Sequence, residues 1–324
     1  MGQWAMNARA SDHALLAGLD PNKPLPRKSI YRSLKGRQRI WSLYQKSIQG
    51  LAFPIRHKIV PTTYGQTFLS IAGNPEAPPI FVLPGMSIAG PMMLEFFAEL
   101  QRTHLLIAPD LIGQPGHSED RPFSHKKGAY GRWAFEVLDQ LGMDKVGIAS
   151  ASFGGSIALE MTHMAPERVG KQALVVPAGL TPRLPYLKLY AGLAANWLTY
   201  RWWPFHDETT ISHDWLKRIA RPLSRSLTQD NLDYFDAIIR YTEFWRHRPA
   251  GPFSAHHFNQ DVTPAFAIFA QKDFVFPHAP TLANAQKSLP MAEMEILAES
   301  AHMPSDQDMQ PLHQRISAYF DGTI

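Results

Sequence analysis

The chain reads as an α/β protein: eight strands in a mostly parallel sheet, helices on both faces, and a helical cap inserted into it. Three observations predict this. Short apolar runs alternate with helical stretches before residue 180 and again after residue 262. Between them, residues 181–261 break the alternation with a helical, aromatic-rich stretch. One strand-to-helix junction, residues 145–163, carries a serine with small residues on either side.

The elements follow in order. Residues 1–28 read as a mobile arm, its end marked by Pro21, Pro24 and Pro26. Residues 32–49 are amphipathic, with Ile40, Leu43, Tyr44 and Ile48 on one side. Two β-type runs, 57–61 and 67–71, flank the turn signal Tyr64-Gly65 and predict a hairpin. Residues 79–83 are continuously apolar, as a strand buried on both faces requires. Residues 92–100 read as helix, with Met92, Met93, Phe96 and Phe97 expected to pack on the sheet. Then come a strand at 104–108, a helix at 127–141, a strand at 145–150, a helix at 154–163 and a strand at 172–176. After the insertion the pattern resumes: strand 265–270, helix 281–288, strand 294–297, helix 305–319. The expected division is a core of 29–180 and 262–324 with a cap of 181–261 between them. Ligands of such sheets bind beyond the carboxyl ends of the strands, where a cap forms the roof.

Composition narrows the function classes. Among 324 residues, 45% are hydrophobic and 19% charged, as in an ordinary globular protein. The formal charge of +4 is small, and its densest stretch, Arg27 to Arg39, is no nucleic-acid signature. Zero cysteines exclude disulfides, thiolate metal sites and a cysteine nucleophile, and fit a cytoplasmic, reducing compartment. Residues 184–203 are the most apolar long segment, but Lys188, Asn196 and Arg201 interrupt them, so no membrane span is expected. An interfacial helix is the lesser alternative there. No metal, dinucleotide or phosphate-loop signature occurs.

The chemistry centres on Ser150-Ala151-Ser152-Phe153-Gly154-Gly155. A strand, a tight turn bearing serine, and a helix make a nucleophile elbow, close to G-x-S-x-G with Ser150 at the first glycine. The same residues also read as a serine-capped helix start. A serine nucleophile needs a base, and the base an orienting acid, in the chain order serine, acid, histidine. Asp273 directly follows the strand at 265–270, whereas Asp261 and Asp306 do not stand at that place. Of fourteen histidines, only His302 lies between the last strand and the last helix. His313 reads as a surface residue of the last helix, and His256-His257 as structural or pocket-lining. The oxyanion would be met by two backbone N–H groups, one of Phe153 and one of Met86 in the loop Leu83-Pro84-Gly85-Met86-Ser87. Asp110, opening the segment Asp110 to Ser118, reads as a structural acceptor for loop N–H groups.

With these residues in place, the chain resembles the α/β-hydrolase superfamily from about His57 onward. More closely it resembles bacterial carboxylesterases related to the naproxen esterases of bacilli, through the helix at 32–49 and the run Met164-Ala165-Pro166-Glu167-Arg168-Val169. The resemblance implies serine hydrolysis of carboxylic esters without a cofactor, with Ser152, Asp273 and His302 as the triad. Ser150 and Pro84 depart from the usual pattern. The cap should set specificity for a small-molecule substrate, and its aromatics Trp197, Trp202, Trp203, Phe244 and Trp245 are the expected pocket lining. They favour apolar esters. The same machinery would also serve a C–C bond hydrolase, a lactonase or an amidase, and a non-catalytic binding member of the fold is a further alternative. Association of the chain with itself stays open.

Overall fold

In the computed structural model the described residues are 19–123, 126–183, 228–243, 246–258 and 263–322. Helix α1 (Leu34–Gln49) precedes the hairpin of β1 (Arg56–Thr62) and β2 (Gly65–Ala72). Then come β3 (Pro79–Leu83), α2 (Gly90–Phe96), β4 (Leu105–Pro109), α3 (Ala129–Gln140), β5 (Val146–Ala151), α4 (Phe153–Met164) and β6 (Val169–Val175). Helix α5 (Gln229–Tyr241) belongs to the insertion. The chain closes with β7 (Ala265–Ala270), α6 (His278–Ser288), β8 (Glu293–Leu297) and α7 (Asp306–Asp321). The eight strands form one sheet in the order β1-β2-β4-β3-β5-β6-β7-β8. β1–β2 and β2–β4 are antiparallel, and every later pair is parallel.

The central strands are buried on both faces, which is why their sequences do not alternate. One apolar cluster, with Trp133, Leu138, Ile157 and Leu159, covers one face of the sheet. A second, with Met93, Phe97, Leu312 and Ile316, covers the other. Met93 and Phe97 thus pack as expected, whereas Met92 turns toward α1. Helix α2 is shorter than the apolar pattern suggested: Pro91 starts it, and the chain tightens to a 3-10 turn at Ala98–Arg102. β6 begins earlier than expected because β5 extends a parallel partner, with Val146 opposite Val169.

Residues 19–28, the described end of the expected arm, are tied to the body. The buried Arg37 guanidinium donates to the carbonyls of Pro21 and Lys23, and Leu25 packs against the cluster between α1 and α5. α5 lies on α1 through Ile40, Leu43, Tyr234, Ala237 and Ile238. Tyr234 is therefore buried structure. Trp197, Trp202, Trp203, Phe244 and Trp245 lie outside the described residues, as does the apolar segment 184–203. Among the described residues no helix is long and apolar enough to cross a membrane, and no cluster of metal-ligand side chains occurs.

Candidate active site

Ser152 sits between β5 and α4 with φ 48° and ψ −114°, a conformation that a non-glycine residue adopts only when its surroundings hold it. They do so through the main chain. The Ser152 N–H donates to the Val175 carbonyl (3.0 Å), and the Ser152 carbonyl accepts from the N–H of Ala178 (2.8 Å) and of Gly155 (2.9 Å). Tight packing explains the small residues around it. A Cβ at Gly154 would overlap the Leu83 carbonyl, and one at Gly155 would meet Pro177. Ser150 is fully buried and its hydroxyl reaches the Ala173 carbonyl (3.4 Å), so serine fits where glycine is usual.

Ser152 stands at the N-cap position of α4, as a serine-capped start would place it, but its side chain does not cap the helix. It makes no capping hydrogen bond; its Oγ lies 2.9 Å from His302 Nε2 instead. His302 comes from the loop between β8 and α7, and its Nδ1 lies 2.8 Å from Asp273 Oδ2. Asp273, just past β7, is held through its other oxygen by the N–H groups of Val275 (2.7 Å) and Phe276 (2.9 Å). The Phe276 ring stands edge-on to the imidazole with centroids 5.0 Å apart. A carboxylate at Nδ1 selects the tautomer with its proton there, which leaves Nε2 to accept from the serine hydroxyl. Asp273 and His302 are both buried. The three residues, separated by 121 and 29 positions in the chain, thus form one hydrogen-bonded line.

Phe153 opens α4, so its N–H has no partner inside the helix and stands beside the serine. The loop after β3 closes the other side: a Cβ at Gly85 would lie 3.8 Å from Ser152 Cβ, which brings Met86 to the same edge. The Ile88 N–H donates to the Gly85 carbonyl (3.1 Å), making a tight turn with Met86 and Ser87 at its centre. Ser87 has φ 62°, and its N–H donates to Gln114 Oε1 (2.7 Å). Gln114 lies in the Asp110–Ser118 segment, but the sequence assigned it no role, because a glutamine in a loop carries no chemistry of its own to mark it.

Asp110 serves the loops. Its carboxylate accepts from the N–H groups of Gly90 (2.9 Å) and His117 (2.7 Å) and from the Tyr44 hydroxyl (3.3 Å). Burial nonetheless pushes its pKa up to about 6. Of the other histidines, His257 bonds within the Ser254–His257 turn and His313 packs against Phe96; neither joins the serine.

A strained serine at a strand–helix turn stands with an aspartate and a histidine carried by loops after later strands of a parallel sheet. A family model described as the alpha/beta hydrolase fold matches residues 78–308. The chain belongs to the alpha/beta hydrolase fold family. Relatives within it include a protein of Bacillus subtilis described as uncharacterized carboxylesterase nap, 23% identical over 295 residues, covering 88% of this chain and 93% of that one. The solved carboxylesterase CesB (YbfK) of Bacillus subtilis superposes with a TM-score of 0.76 at 19% identity, covering 90% of this chain and all of the other. The naproxen esterase of the same organism gives 0.73 at 18%, covering 87% and 97%. At these identities the solved structures establish the shared hydrolase fold.

Proposed function

We propose that this alpha/beta hydrolase cleaves carboxylic esters of small to medium apolar substrates through an acyl-enzyme on Ser152. One observation carries the reading: the unbroken line from Asp273 through His302 to Ser152 Oγ, with contacts of 2.8 and 2.9 Å. The carboxylesterase descriptions of the relatives support the same substrate class. Ser152 Oγ attacks the ester carbonyl carbon while His302 Nε2 takes its proton. The tetrahedral oxyanion is met by the N–H groups of Phe153 and Met86, each worth roughly 3 to 4 kcal/mol in such sites. The intermediate collapses, the C–O bond breaks, and the imidazolium returns its proton to the departing alcohol. Water then adds to the acyl carbon with His302 as base, releasing the acid and restoring the hydroxyl. Asp273 fixes the imidazole and stabilises its charged form. No cofactor enters this scheme.

Residues 181–261 act in this reading as the cap, with Trp197, Trp202, Trp203, Phe244 and Trp245 lining the acyl or alcohol pocket. Turnover of short p-nitrophenyl esters and labelling by a fluorophosphonate test the reading. Both are expected in the wild-type chain and lost in Ser152→Ala. Labelling retained by that variant would reject Ser152 as nucleophile, and a panel of ester, lactone, amide and β-diketone substrates separates the shared-triad activities.

A further inference from the structure

The loop that offers Met86 is strained, and something must hold it. Ser87 occupies the third position of the Gly85–Ile88 turn at φ 62°, where a type II turn favours glycine. A side chain there is less stable than glycine would be, so the turn alone does not favour this conformation. The peptide between Met86 and Ser87 is the one that flips between the two common turn types. Its N–H is the group that Gln114 Oε1 accepts at 2.7 Å.

Gln114 is itself fixed. Only 2% of its surface is exposed, and its Nε2 donates to the Tyr130 hydroxyl (3.2 Å), which donates in turn to the Ile112 carbonyl (3.3 Å). The Tyr130 ring stands edge-on to Phe153, centroids 5.3 Å apart, and it is backed by Trp133 and Phe123. One buried chain of contacts therefore runs from the Ser87 amide, through Gln114 and Tyr130, to the residue that follows the serine. It touches the main chain on both sides of the oxyanion position.

We propose that Gln114 is a positioning residue for the oxyanion hole, pinning the Met86–Ser87 peptide so that the Met86 N–H faces the reacting carbonyl. The inference rests on the esterase reading above. Met86 lies between two peptide planes. With the plane after it fixed by Gln114, and the turn closed by the Ile88-to-Gly85 bond, the plane carrying its N–H keeps little freedom. A preorganised donor acts in the transition state and little in the ground state, so the effect belongs in kcat. Losing a donor outright costs about 10²- to 10³-fold in kcat, and loosening one should cost about tenfold.

The test compares wild type with Gln114→Met, which keeps the length and loses both polar atoms, and with Gln114→Glu, which keeps an acceptor for the Ser87 N–H. Ester turnover and inhibition by a trifluoromethyl ketone, a mimic of the tetrahedral adduct, are measured on each. Gln114→Met should lower kcat about tenfold with KM within about twofold, and weaken the ketone by the same factor. Gln114→Glu should recover most of both. Should Gln114→Met fail to fold, Gln114→Asn withdraws the acceptor by one methylene and carries the same expectation. A kcat within twofold of wild type in the folded variant, or a fall in kcat without parallel loss of ketone affinity, overturns the brace and leaves the esterase reading intact. Wild-type chain with no Ser152-dependent turnover overturns the esterase reading and the brace with it.

Discussion

His117 is an imidazole in a place that suits a hydrocarbon ring. Its ring lies 4.5 Å from Trp41, 4.3 Å from Tyr44 and 5.1 Å from Phe68, centroid to centroid. The residue keeps some solvent contact, but both ring nitrogens are shielded and unpartnered among the described residues. Burial, with His57 nearby, lowers its pKa to about 3. The unfolded chain therefore binds this proton first, from about pH 6.5 downward, and stability falls as pH drops toward 3. Asp110 works the other way: its raised pKa of about 6 lets the native state take up a proton first, which favours folding as pH falls below 6. The His117 displacement is the larger, so acid should destabilise through it. His117→Phe should unfold at higher urea than wild type at pH 5, with the gap shrinking by about 2 kcal/mol at pH 7.5. Equal gaps at the two pH values would show that the imidazole does not carry the effect.

At the scale of elements, α1 and α5 meet so closely that Gly36 has no room for a side chain. A Cβ there would overlap the Tyr241 side chain at its Cβ and ring. Alanine would gain about 1 kcal/mol of helix propensity, but forcing the helices apart would open the cluster of Ile40, Leu43, Tyr234 and Ile238. The clash should win, and Gly36→Ala should lower the melting temperature; a rise would mean that α5 yields easily. The hairpin, the alternating strands and α4 were legible because local pattern and tertiary demand agree there. The α1–α5 contact was not. Those residues are nearly 200 positions apart, and amphipathicity tells which face is buried without telling what covers it. The end of the arm, marked by Pro21, Pro24 and Pro26, reads as mobile for the same reason: its anchor, Arg37, looks like any exposed basic residue until its position in space is known.

Over the whole molecule, the non-glycine residues with positive φ are Ser87, Ser152 and Val176 among those described, and each follows a strand, β3, β5 or β6, at its carboxyl end. Strain is thus gathered at one edge of the sheet, where Ser152, Asp273 and His302 also stand, while the strands behind it are packed on both faces. The packing that supports that edge reaches to residues 19–28. The carbonyls of Pro21 and Lys23 accept from Arg37 Nη2 in α1; α1 and the residues before it in turn contact the Asp110–Ser118 segment, with Trp41 Nε1 donating to the Gly116 carbonyl (3.0 Å) and Tyr31 exchanging hydrogen bonds with Gly116. Deleting residues 1–28 should leave the Arg37 guanidinium buried without those carbonyls and cost about 1–3 kcal/mol. Calorimetry on the truncated chain checks this: an unchanged melting temperature would make the segment a passive tail.

Ser152, Asp273 and His302, their order, and the strand ends that carry them were determined by sequence alone, because an elbow and a strand-end loop are local features with strict residue demands. What only tertiary structure decided is how those ends converge, and which residues hold them there. Nothing in the sequence assigned Gln114, Tyr130 or Arg37 a role, and their contacts are with residues well separated from them in the chain. Hydrogen bonds of that kind depend on distance and angle in space, and no spacing along a sequence encodes them.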